Sequence, residues 1–381
     1  MSTKRKSGTY LLLLLLLSTW TPRATGEVIP NAYINGSQEL YLTPYDRVEF
    51  QIGAKGKGTV ECWTAIYSPF GWFSYNLGDG SWIAGLGNPY WGKVKDSPPQ
   101  SILKVNGLPV GDYYLFFVMD EAGNGKIDPD SLSYAMAILH VREIWRPKPG
   151  TTWQWQLSGD TDLSYPAQVY DLDLFETSRE TVSTLHRMGV KVICYLNAGA
   201  WEEWRKDAKL YPKEVLGSGL DGWKGERWID IRRIDLLAPI LKERIRLAAE
   251  KGCDGIEPDN IDGYTNETGF PLTYQDQLRF NKWLSLLCHS MGLSVGLKND
   301  LEQVKDLIVH FDWALNESCF EYHECNLLTP FIQSGKAVFG VEYSGDPADF
   351  CPRANSMGFS WMKKHLQLDA WREACWEYEE K

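Results

Sequence analysis

Gly255-Ile-Glu-Pro-Asp-Asn-Ile-Asp-Gly-Tyr264 is the stretch on which the fold of the chain's C-terminal two thirds turns. Its first half, Gly255–Asp259, reads as a short buried strand that ends in acid. An amphipathic helical run, Pro239–Lys251, precedes it, and another, Tyr274–Met291, follows. In the second run Leu278, Trp283, Leu286 and Leu287 recur at helical spacing. A strand between two such helices is the repeating unit of parallel sheets.

Working outward, the same alternation continues in both directions. Strand-like runs fall at Thr152–Leu157, Gln168–Leu174, Lys191–Asn197, Gly255–Asp259, Leu293–Asn299, Phe311–Glu317, Ala337–Tyr343 and Phe359–Met362. Eight units in residues 151–381 match a (β/α)8 TIM barrel, an α/β fold. A doubly wound open sheet is the alternative. It would carry a glycine-rich phosphate turn after its first strand, and Leu157-Ser-Gly-Asp160 is not one.

Upstream the pattern differs. Residues 27–143 hold strand-like runs at Arg47–Ile52, Thr59–Ile66, Ile102–Val105, Tyr113–Met119 and Ala135–Val141, separated by Gly, Pro and Asn. This predicts a smaller all-β, sandwich-like domain before the barrel. Within it, Asp120–Asp128 has oxygen ligands at suggestive spacing but lacks key positions of a calcium loop. A hairpin turn on Asn124-Gly125 is the reading favoured. Residues 144–150, with Pro147 and Pro149, read as a linker.

Residues 1–26 read as a secretory signal peptide: basic Lys4, Arg5 and Lys6, then Leu11–Leu17, then small Ala24 and Gly26. The leucine run is too short for a membrane anchor. Removing this segment, which has four basic residues and no acid, takes the net charge from −11 to −15. Such a chain disfavours nucleic acid and anionic membranes as partners. An oxidising destination permits disulfides among eight cysteines. Cys319 and Cys325 read as exposed, close candidates, with Cys351 a third. Cys194 and Cys253 read as free core residues. The absence of a CxxC pair argues against zinc. Sequons at Asn35, Asn266 and Asn316 agree with secretion.

If the strands form a barrel, their C-terminal ends build the site. Those ends are ionic: Asp171 and Asp173 on the second; Tyr195 and Asn197 on the third, with Glu202 beyond; Glu257, Asp259 and then Asp262 on the fourth; Lys298 and Asn299 on the fifth; Glu317 on the sixth; Glu342 and Tyr343 on the seventh. Asp300, Asp346 and in part Asp173 are explained as helix caps. Strands of like parity feed one layer of side chains, so the fourth and sixth aim Asp259 and Glu317 at a common space. Two facing carboxylates serve glycoside hydrolysis, one as acid and one as nucleophile or base. The six histidines fall away from the strand ends, which argues against a metal hydrolase. Lys298 would suit a Schiff base, but its neighbours favour a role pairing with the site acids.

These motifs carry a resemblance. Trp153-Gln-Trp-Gln-Leu-Ser-Gly159, Val169-Tyr-Asp-Leu-Asp-Leu-Phe175, the opening Gly255–Tyr264 stretch, Gly296-Leu-Lys-Asn-Asp300 and Asn316-Glu-Ser-Cys-Phe-Glu-Tyr-His-Glu-Cys325 resemble glycoside-hydrolase family 114. The resemblance spans residues 150–345 and implies a TIM-barrel endo-α-1,4-polygalactosaminidase. It implies Asp259 and Glu317 as the catalytic pair, with Glu257, Asp262, Lys298 and Asn299 lining subsites. Asp171, Asp173, Tyr195, Glu202 and Tyr343 are expected to bind substrate too. So are Trp153, in the first motif, and Trp223, in the insertion Leu216–Arg233 after the third strand. Asn197-Ala-Gly-Ala-Trp-Glu-Glu-Trp204 departs from the family pattern and leaves Glu203 without a role. A glycan on Asn316 would block Glu317, so Asn316 is expected to be unmodified and Asn35 modified. The function expected is a secreted glycoside hydrolase acting on galactosamine-containing polysaccharide as a monomer, without cofactor. The alternatives are a non-catalytic carbohydrate-binding barrel and an α-galactosidase-like exo-enzyme.

Overall fold

The computed structural model describes residues 28–124 and 131–378. The segment expected as a signal peptide, and residues 125–130 of the expected Asn124-Gly125 turn, lie outside the described residues. The chain divides into two compact units after Glu143.

The first unit is β-rich, with no α-helix among its described residues. Its strands are β1 (Ile29–Ile34), β2 (Glu39–Leu42), β3 (Arg47–Lys55), β4 (Gly58–Ser68), β5 (Gly71–Tyr75), β6 (Trp82–Ala84), β7 (Tyr90–Val94), β8 (Ser97–Asn106), β9 (Gly111–Asp120) and β10 (Leu132–Val141). They form a sheet in the order β1-β3-β8 and a second in the order β2-β10-β9-β4-β5-β6, with β7 also on β4. Along β1, Ala32 and Ile34 are buried while their neighbours are not, the period of two of a half-buried strand. Half of these strands were not expected from the sequence, chiefly short ones such as β6, where three residues carry no measurable period.

In the second unit, each of the eight expected runs forms a strand within two residues of its expected ends: β11 (Trp153–Gln156), β12 (Val169–Asp173), β13 (Lys191–Asn197), and, after an insertion holding β14 (Ala200–Glu202), β15 (Leu216–Gly219) and β16 (Glu226–Ile229), β17 (Gly255–Asp259), β18 (Ser294–Lys298), β19 (Trp313–Glu317), β20 (Val338–Glu342) and β21 (Ser360–Lys364). All eight pair in parallel in chain order. A ninth strand, β22 (Arg372–Ala374), runs antiparallel on β21. The sheet curls into a nearly closed barrel. The Trp153 indole N–H on β11 donates to the Ser360 carbonyl on β21 at 2.9 Å, and Arg372 reaches the Trp153 carbonyl at 2.6 Å. Side chains from β11, β12, β13, β19, β20 and β21 meet in one interior cluster that includes Trp153, Val169, Ile193, Trp313, Phe339 and Met362.

The helices are α1 (Arg179–Arg187), α2 (Ile234–Lys251), α3 (Tyr274–Ser290), α4 (Val304–Leu307), α5 (Thr329–Gln333) and α6 (Pro347–Ser356). The strict eightfold alternation is therefore incomplete among the described residues. Between β11 and β12 the Gln156 amide ties down a loop instead, donating to the Ser158 and Asp160 carbonyls and accepting from the Asp162 N–H. Helix α3 starts with a capping box: Thr273 Oγ1 accepts from the Asp276 N–H, and Asp276 returns the bond to the Thr273 N–H.

Residues 144–150, expected as a free linker, belong to the second unit. Arg146 makes two bonds to Asp312 at 3.1 and 3.2 Å, and the Pro147 carbonyl accepts from the Ala337 N–H. The cysteines also differ from expectation. Cys194 joins Cys253, because β13 and β17 are neighbours, so neither is free. Cys351 joins Cys375. Cys319 joins Cys325, and both are buried rather than exposed.

Candidate active site

Inward-facing positions alternate along each strand, and successive inward positions lie about 6–7 Å apart along it. On β17 these are Gly255, Glu257 and Asp259; on β19 they are Trp313, Leu315 and Glu317; on β18, Gly296 and Lys298. The last of each set reaches the mouth of the barrel. There a cleft of about 790 Å³ opens.

At its floor the Lys298 ammonium, almost wholly buried, touches three carboxylates: Glu257 at 2.7 Å, Asp259 at 3.0 Å and Glu317 at 3.4 Å. Burial works against its charge, but Asp259, Glu257 and Glu317 together hold its pKa well above the usual lysine value. Because one nitrogen contacts both, the Asp259 and Glu317 oxygens lie no more than 6.4 Å apart. The outer oxygens are held separately. The Tyr195 hydroxyl donates to Asp259 at 2.9 Å, and the Tyr343 hydroxyl donates to Glu317. Asn299 donates to Glu317 at 3.1 Å and accepts from the Glu317 N–H.

The backbone at these strand ends is unusual. Asn260, Asn299, Asp300 and Ser318, which follow β17, β18 and β19, all have positive φ, from 43° to 65°. Non-glycine residues in this region are uncommon and cluster at functional sites. A related constraint falls on Gly199. A Cβ there would sit 1.6 Å from the Asn260 carbonyl oxygen, and its N–H donates to the Asp259 carbonyl. No larger residue lets the β13 loop support Asp259 in this way.

Of the residues expected to meet substrate, Tyr195, Asp262, Lys298, Asn299, Tyr343 and Trp223 line the cleft, beside Asp259 and Glu317. Trp223 is half exposed on the insertion. Glu202 and Asp173 border the cleft but are buried and already engaged. Arg205 binds Asp173 through both oxygens at 2.6 and 3.1 Å, and its Nε donates to Glu202 at 2.9 Å. Asp173 also caps the following turn through the Phe175 and Glu176 N–H groups. Trp153, Asp171 and Glu257 are fully buried and do not line the cleft. Each lies two residues before a mouth residue on the same inward face, and so one layer too deep.

Asp300 does not cap with its side chain. It is buried, accepts from Asn281 at 2.8 Å, and is pushed up to about 9 by burial and by Asp262. Asp346 does cap α6, accepting from the Ala348 N–H. Asn316 is buried, its amide donating to Asn299 at 3.2 Å.

The cleft also uses residues the sequence reading passed over. Trp155 lies one layer above Trp153, and its indole N–H donates to Glu257 at 2.9 Å. Trp204, just after β14, and Glu226, in the Leu216–Arg233 insertion, also line it. Burial, Glu202 and Asp259 push the Glu226 carboxyl up to about 7. Its one signal in the sequence was its place in that insertion. In all, nine acidic side chains line the cleft against two basic ones, Lys298 and Arg205. Both bases are spent on acids in the floor. Among the described residues no group of His, Cys, Asp or Glu is arranged to hold a metal ion.

Glycosidic bonds are hydrolysed between two carboxylates that flank the scissile oxygen. Asp259 and Glu317 lie close together at the strand ends of the barrel, an arrangement of the kind glycoside hydrolases use. The chain belongs to glycoside-hydrolase family GH114, whose model matches residues 138–379. It is similar to Ega3 of Aspergillus fumigatus, solved in complex with galactosamine, at 38% identity and a TM-score of 0.59, covering 61% of this chain and 97% of that one. It is also similar to the glycoside hydrolase domain of PelA from Pseudomonas aeruginosa, at 12% identity and a TM-score of 0.48, covering 58% of this chain and 97% of that one. No curated protein sequence matches the chain.

Proposed function

We propose that the protein is a secreted endo-glycosidase that cleaves α-linked, galactosamine-containing polysaccharide, with Asp259 as the ionised nucleophile and Glu317 as the general acid. The observation that carries this reading is the shared contact of Lys298 with both carboxylates, which keeps their facing oxygens within 6.4 Å. Retaining glycosidases hold their carboxyls about 5–5.5 Å apart and inverting ones about 6.5–9.5 Å apart, and a bound of 6.4 Å on the facing oxygens agrees with the retaining geometry. An Asp259 oxygen attacks the anomeric carbon as the bond to the leaving oxygen breaks, and Glu317 delivers its proton to that oxygen. Glu317 then takes a proton from water, which attacks the same carbon and frees Asp259.

The lining supports an amino-sugar polymer. A cleft with nine acids and two engaged bases attracts the ammonium groups of unacetylated galactosamine. Trp204 and Trp223, both half exposed at the cleft, offer flat faces for sugar rings. The similarity to Ega3, which binds galactosamine, agrees. The basic and apolar N-terminal segment and three disulfides suit an extracellular setting.

The test is to assay Asp259→Asn and Glu317→Gln on partly deacetylated polygalactosamine. Each is expected to lose activity by about 10²–10⁴-fold while remaining folded. Oligomers should appear before monosaccharide, and proton NMR should show the α anomer first. Activity retained in either variant refutes the pair; monosaccharide appearing first points to an exo-enzyme.

A further inference from the structure

We propose that Asp171 is a neutral acid whose hydroxyl donates to Glu257, and that this buried pair holds Lys298 charged and centred between Asp259 and Glu317. Asp171 and Glu257 are then positioning residues, not part of the substrate site. The inference rests on the reading of Asp259 and Glu317 as the reacting pair.

Both Asp171 oxygens are buried, and neither has an N–H or O–H donor. Its ladder neighbours, Trp155 and Ile193, offer it no side-chain donor: the Trp155 indole N–H is directed at Glu257. The titratable groups that face Asp171 are Glu257 and Lys298, and the side chain it meets at hydrogen-bonding distance is Glu257. Glu257 already receives two donors, Lys298 Nζ on Oε1 and Trp155 Nε1 on Oε2. It is the better-solvated anion of the two. Two carboxylates cannot both accept from each other, and an ionised carboxylate without a donor is too costly to bury. One proton must lie between them, and it resides on Asp171.

Electrostatics agree with the geometry. Burial and the facing Glu257 hold Asp171 well above the usual carboxyl value, with Lys298 opposing. The chain of contacts then runs upward from a neutral acid to an anion, to an ammonium, to the two reacting carboxylates. The ammonium has three N–H groups and three carboxylate neighbours, so fixing one bond downward aims the other two at Asp259 and Glu317. It also stacks over the Trp155 ring, 4.9 Å from the centroid. Replacing the donor on Asp171 should let Glu257 and Lys298 relax, and small displacements at reacting groups cost much activity.

The experiment pairs two substitutions with an infrared readout. Asp171→Leu removes the donor and is expected to lower kcat by roughly 10²-fold, with KM moved less than about threefold, since no substrate contact is lost. Asp171→Asn restores an N–H donor without a charge and is expected to rescue most of that loss, with an unaltered pH profile. At pH 8 the infrared spectrum of the wild type should contain a protonated-carboxyl stretch that Asp171→Asn removes. Asp300 supplies a second such band, so Asp300→Asn should leave the Asp171 band standing. If Asp171→Asn is as impaired as the leucine variant, Asp171 acts as a carboxylate and the proposal fails. Should Asp171→Asn not fold, a spectrum of Asp300→Asn without any protonated-carboxyl band at pH 8 overturns it equally. The infrared test involves no hydrolysis, so it can fail while the assignment of Asp259 and Glu317 stands, and the reverse holds too.

Discussion

Replacing Lys298 with methionine isolates the electrostatic claim at the centre of the site. The substitution keeps most of the side chain's bulk and removes its charge. Glu257, fully buried and 2.7 Å from the ammonium, is left without its counterion, and Asp259 and Glu317 lose theirs in part. Removing one partner of a buried, hydrogen-bonded pair typically costs about 3–5 kcal/mol. In a unit of this size that corresponds to a fall in Tm of roughly 6–20 °C. The cost must depend on pH. Burial already pushes Glu257 up to about 7 with Lys298 opposing, and without Lys298 it rises further. A carboxyl raised in the folded state stabilises that state fully below its unfolded pKa, and the contribution is lost as pH climbs through the folded value. The deficit of Lys298→Met relative to wild type is therefore smallest near pH 5 and largest above pH 8. Urea denaturation at both pH values measures it. A deficit below about 1 kcal/mol at pH 8, or one equal at both, would refute the view that Lys298 compensates buried charge.

Asp300 is held near 9 by burial and Asp262, so from about pH 4 to 9 the folded chain keeps a proton that the unfolded chain releases. Asp300→Asn should thus stabilise the protein at pH 7, by at most about 4 kcal/mol, with the gain vanishing near pH 4 in thermal melts. Asparagine also tolerates the left-handed backbone there. The Cys194–Cys253 bridge spans 59 residues, so the double alanine variant should lose about 4 kcal/mol of stability in denaturant titrations. Asn316 is buried in β19, so intact-mass analysis after expression through a secretory host should find it without glycan, and a glycan there would contradict the packing around Glu317.

Much of this was legible in the residues. Alternation of short apolar strands with amphipathic helices placed all eight barrel strands, because side-chain period and burial are local properties. The like parity of the fourth and sixth strands, with acids at their C-terminal ends, aimed Asp259 and Glu317 at a common space. The loop between β11 and β12 was less legible, since its order comes from one buried glutamine side chain. The Cys194–Cys253 bridge was hidden for a similar reason: neighbourhood of β13 and β17 is a property of the closed sheet, across 59 intervening residues.

By itself, then, the sequence determined the order of the barrel strands and the acids at their C-terminal ends. Only the tertiary structure decided depth. Glu257 and Asp259, Asp171 and Asp173, and Trp153 and Trp155 are pairs two residues apart on one face, indistinguishable by period. The stagger of neighbouring strands puts Asp259 in the cleft and Glu257, Asp171 and Trp153 beneath it, while Trp155 borders the cleft but stays buried. For the acids that one layer separates Asp259, which meets solvent, from Glu257 and Asp171, which do not, because burial decides which carboxyl is hydrated and which keeps a proton.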